Sequence, residues 1–103
     1  MRFSAVRASV AYSNNEQHQL LLIGENPQVL TNLFVDYIDT VQLSPVNLSA
    51  RIIAEHATAS EIHALIRFAD FDDTVVLIAD ENTSNRMRKD LLSSEILVMF
   101  SSY

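Results

Sequence analysis

Two residue pairs, Glu55-His56 and Asp80-Glu81, hold the residue types best suited to chemistry in this chain. Each follows an apolar, β-branched run that reads as a strand, so both belong at strand carboxyl ends, where open α/β sheets gather their ligands. Carboxylates with an imidazole can hold a divalent ion or act as acid and base, the equipment of a small metal-assisted hydrolase or nucleotide-binding enzyme. His63, one turn into the next helix, stands close enough in sequence to join them. The spacing matches no ligand motif. Acidic residues near helix starts are what the helix dipole already favours, so solvated strand ends are the simpler reading and no metal or cofactor is expected.

Two further groups point to a protein partner. Asp70, Asp72 and Asp73 crowd the approach to a strand, but a calcium loop would add a glycine and a distant bidentate glutamate. Phe71 between them is either a core ring or an anchor for another protein. Arg86, Arg88 and Lys89 form a basic triplet late in a thin helix, where they complement its negative end and could meet an acidic surface on a second chain. Phe71, Asp72, Asp73, Arg86, Arg88 and Lys89 are therefore the partner-binding candidates.

Much chemistry is excluded by composition. Glycine occurs once, at Gly24, which removes the phosphate-binding glycine loops and the nucleophile elbow. There is no cysteine, hence no thiolate metal site and no disulfide. Serines are plentiful, but no Ser-His-Asp order with a shaped turn is visible. His18 is expected to be exposed near a hairpin turn.

Of the net charge of −6, residues 1–52 carry −1 and residues 53–103 carry −5. An acidic surface repels phosphate backbones, so direct nucleic-acid binding is not expected. Hydrophobic residues reach 49% while charged residues stop at 19%, below the usual quarter. The excess apolar area favours a homo-oligomer, a dimer first, or a partner surface. No apolar run approaches the length of a membrane span, and Arg7 interrupts any signal-like core, so a cytoplasmic protein is expected.

The elements that would position these residues follow from periodicity. Val6, Ala8, Val10 and Tyr12 alternate with Arg7 and Ser9, a strand with one wet face. After the turn cluster Ser13 to Glu16, Leu20 to Ile23 suits a strand buried on both faces, and the two should form an antiparallel hairpin. Asn26 caps and Pro27 opens a helix whose stripe is Leu30, Leu33, Phe34, Tyr37, Ile38 and Val41, with Pro45 as its stop. Gly24 is read as a hinge between strand and helix that needs positive φ. Residues 48–55 alternate as a third strand, and Thr58 to Glu61 spell a capping box for a helix with Ile62, Leu65, Ile66 and Ala69 inward. A strand from Thr74 to Ala79, a short helix carrying Met87 and Leu91, and a strand from Ile96 to Phe100 complete the order.

Residues 1–103 thus read as a single α/β domain, a layered sandwich of order β-β-α-β-α-β-α-β with a five-stranded mixed sheet and three helices. The favoured function is a non-enzymatic small acidic interaction module, a regulator, inhibitor or adaptor that binds a protein and self-associates. The carboxylate enzyme is the alternative, and an acidic mimic of nucleic acid ranks third.

Overall fold

A computed structural model describes residues 2–68, 74–78 and 98–100. Strand β1 (Phe3–Tyr12) turns back into β2 (Gln17–Gly24), helix α1 (Pro27–Val41) leads to β3 (Pro45–Ala57), and helix α2 (Ala59–Phe68) leads to β4 (Thr74–Ile78). A short β5 (Val98–Phe100) runs beside β4. The class is α/β and the sheet is mixed, as expected. The third helix, with Met87 and Leu91, lies outside the described residues.

The hairpin closes as its polar residues dictate. The Glu16 N–H donates to Asn14 Oδ1 at 3.0 Å, and Asn15 takes φ 70°, a region that asparagine tolerates. Ser4↔Gly24 through Ala11↔Gln17 then pair antiparallel. Strand order in the sheet is β3-β1-β2-β4-β5, with β1 antiparallel to both β2 and β3 while β4 runs parallel to β2. The chain steps one way across the sheet from β2 to β3 and the opposite way from β3 to β4. Crossovers of one hand then require α1 and α2 to lie on opposite faces.

Burial agrees. Leu30, Leu33 and Tyr37 of α1 pack with Ala8, Val10, Tyr12, Leu20 and Leu22, while Ile62 and Ile66 of α2 pack with Phe3, Ala5, Leu21, Ile23 and Val76. The run Leu20 to Ile23 is buried on both faces because β2 lies between β1 and β4 and under both helices. The wet face expected for β1 covers only half of it: Phe3 and Ala5 lie buried with α2, and Arg7 and Ser9 are half-buried beyond its reach.

Caps formed largely as read. Asn26 Oδ1 accepts the Val29 N–H at 3.1 Å, and Pro27 occupies the first turn of α1. The helix stops at Val41 because Gln42 turns left-handed at φ 60°, and Pro45 begins β3 instead of marking the stop. Gly24 corrects an expectation. It ends β2 buried opposite Ser4, and no described glycine has positive φ; Asn15, Gln42 and His56 adopt it instead.

The capping box of α2 is complete. The Glu61 N–H donates to Thr58 Oγ1 at 3.2 Å, and the Thr58 N–H donates to Glu61 Oε1 at 3.2 Å. Those bonds from the Thr58 backbone and hydroxyl, helped by Arg2 at 3.6 Å, lower the Glu61 pKa from the ordinary 4.5. A lowered carboxyl favours the fold at neutral pH, and its contribution is lost as pH falls below 4.5 through the folded value. The stability gap between wild type and Glu61→Gln in urea melts should therefore close on acidification. A gap that stayed constant would place the effect elsewhere.

Candidate interaction site on the β3 edge

Of the candidate carboxylate site only the Glu55-His56 half lies among the described residues. Glu55 and His56 end β3 and are exposed, His56 at φ 52° beside the irregular pairing of Ala54 and Ala57. Asp80 and Glu81 lie outside the described residues. Strands β3 and β4 do run the same way, but β1 and β2 stand between them. Three strand spacings separate the ends of β3 and β4 by ~14 Å. Among the described residues no group of three histidines and carboxylates could hold a metal. His63 is half-buried on α2. Phe71, Asp72, Asp73, Arg86, Arg88 and Lys89 also lie outside the described residues.

What the sheet order exposes is β3. The alternation of Leu48, Ala50, Ile52 and Ala54 forms a strand as expected, but β3 is the outer strand and α1 covers its neighbours. Val46 is 66% exposed, Leu48 50% and Ile52 49%. Register places Leu48 beside Val10, Ala50 beside Ala8 and Ile52 beside Val6, all on the α1 side. Between α1 and this stripe lies a cavity of about 240 Å³ lined by Val6, Leu22, Leu30, Phe34 and Ile52 among others.

The opposite face of the same edge is polar. Arg7 sits directly across from Arg51, and Ser9 across from Ser49. Ser9 Oγ accepts N–H bonds from Gln17 at 2.9 Å and Gln19 at 3.1 Å, which ties the rim of β2 to this face. Pairing is continuous from Asn47 to Ile52 and shifts at either side, so the regular stretch of edge is six residues long. Beyond β1, β3 has no strand partner among the described residues, and every second N–H and C=O along it points outward.

A third cluster lies at the hairpin end. His18, expected to be exposed, is half-buried: its ring meets Tyr12 edge-on at 4.9 Å, and Nδ1 lies 2.7 Å from the Tyr37 hydroxyl. Glu16 stands 3.5 Å from Nε2 and favours the hydrogen there, so Nδ1 accepts from Tyr37. Burial raises the pKa of both phenols above 10.0, Glu16 adding to Tyr12 and Tyr12 to Tyr37, which keeps them neutral donors and unsuited to phenolate chemistry. Tyr37 is thus a core ring with a bonded hydroxyl. The Tyr12 hydroxyl is buried without a hydrogen-bond partner among the described residues. Tyr12→Phe should raise stability by about 1 kcal/mol and Tyr37→Phe lower it by about 1 kcal/mol. Equal changes in the two urea midpoints would contradict that assignment.

Sequence reasoning missed the β3 edge because alternation reports which residues share a face, not whether a helix covers it. No family model matches the chain, and no curated protein or solved structure does. Among the described residues no helix is long and apolar enough to cross a membrane.

Proposed function

We propose that this protein is a non-enzymatic interaction module that binds a protein partner by strand addition along β3. The observation that supports the reading is a 13-residue outer strand with an apolar stripe on one side and a polar, arginine-bearing stripe on the other. Main-chain hydrogen bonds to an added strand supply affinity in this mode, and alternating side chains supply specificity. Natural edges of this length are normally shortened, covered or guarded by several charges. Here Arg51 and Glu55 are the charged residues of β3. The complete domain, on this reading, is the five-stranded, three-helix sandwich, cytoplasmic, with the basic triplet and the Phe71 loop as secondary contacts.

The test uses a synthetic peptide with the sequence of residues 45–57, titrated into isotopically labelled protein. Amide shifts should concentrate on β3 and be absent with a scrambled peptide. Shifts confined to α1 or α2, or none at millimolar peptide, would overturn the reading. The carboxylate enzyme gains no support from the ~14 Å between the β3 and β4 ends.

A further inference from the structure

We infer that the strand added to β3 is β3 of a second copy, running antiparallel about a twofold axis at Ser49. This inference rests on the edge reading above and adds its occupant and register. In an antiparallel pair with a twofold axis at residue c, position i faces position 2c − i of the other copy, so a stripe is self-complementary only where its own pattern is symmetric. The regular stretch Asn47–Ile52 restricts that centre to Ser49 or Ala50.

Charge separates the two. Centring on Ala50 makes Arg51 and its copy diagonal neighbours, within reach of each other, and centring on Arg51 would oppose them directly. Centring on Ser49 sets Arg51 against Asn47 of the second copy and keeps the two guanidinium groups apart. Within the regular stretch the same choice sets Leu48 against Ala50, an apolar pair on the α1 side. The two exposed stripes become one continuous patch between α1 and its copy. Across the seam between the two copies no like charges oppose.

Ser49 alone then faces itself. Directly opposed residues have Cα atoms ~4.5–5.5 Å apart, within the range a disulfide spans. Asn47 and its copy would lie four residues apart along the strands, ~13 Å, well beyond that range. The chain contains no cysteine, so single-cysteine variants report one contact each. Under mild oxidation Ser49→Cys should cross-link to a covalent dimer. Asn47→Cys should stay uncrosslinked alone but join Arg51→Cys when the two are mixed. Circular dichroism checks that each variant is folded.

Failure to cross-link Ser49→Cys, or cross-linking of Asn47→Cys to itself at the same rate, would overturn the inference. The peptide titration separates this from failure of the broader reading. Peptide shifts on β3 without the Ser49→Cys cross-link would refute the register centred on Ser49 and leave the edge standing. Absence of both refutes the two together.

Discussion

Leu48→Lys combined with Ala50→Lys is expected to weaken the proposed self-association about 100-fold while leaving the monomer folded. In the paired edge Leu48 faces Ala50 of the second copy, so the double variant opposes lysine with lysine at two symmetric places. Each opposed like-charge pair costs up to about 1 kcal/mol, and each lost apolar contact adds a comparable amount. The sum of about 3 kcal/mol corresponds to roughly two decades in dissociation constant. The monomer loses little, because Leu48 is half exposed and Ala50 is exposed. Lysine on an edge is also the device by which natural sheets prevent this pairing. Sedimentation equilibrium should show wild type approaching twice 11.6 kDa with concentration and the variant staying near 11.6 kDa. Equal dimerisation of both proteins would contradict the assignment of this surface.

Leu22→Ala acts on the fold itself and should cost about 3 kcal/mol. Leu22 is 1% exposed on a strand that lies between β1 and β4, and it packs with Leu30 and Leu33 of α1. It also lines the 240 Å³ cavity, so truncation enlarges existing space that the neighbouring strands cannot collapse to fill. A domain of this size has roughly 5–15 kcal/mol in total, so the urea midpoint should drop sharply. Val35→Ala on the exposed side of α1 is the control and should change stability by less than about 0.5 kcal/mol. Similar costs for the two would mean that the α1 layer is packed differently.

The fold was readable where local chemistry decides structure. Asn26-Pro27, Thr58 and Glu61 named two helix starts, and Leu20 to Ile23 named the doubly buried strand, because capping and burial are written within a few residues. Where topology decides, the sequence was silent. Nothing in Leu48 to Ala54 says that β1 would take β3 as its outer neighbour, so the strand's exposure and the distance between Glu55 and β4 were hidden. Gly24 misled for a related reason: the strand continues through it, and the turn into α1 needed no left-handed residue. His18 was read as exposed because its partners, Tyr12 and Tyr37, come from a different strand and from α1. The partner-binding proposal draws on composition, since 49% apolar residues leave area to cover, and on the sheet order for the choice of β3.

Amide hydrogen exchange followed against protein concentration tests the β3 edge most directly. Residues 47–52 have alternate amides directed away from β1, and these should exchange quickly at low concentration. Raising the concentration should slow those outward amides selectively, with β1 and β2 unchanged and the effect abolished by Leu48→Lys with Ala50→Lys. Exchange on β3 that is independent of concentration, or protection that appears on α1 or α2 instead, would contradict it.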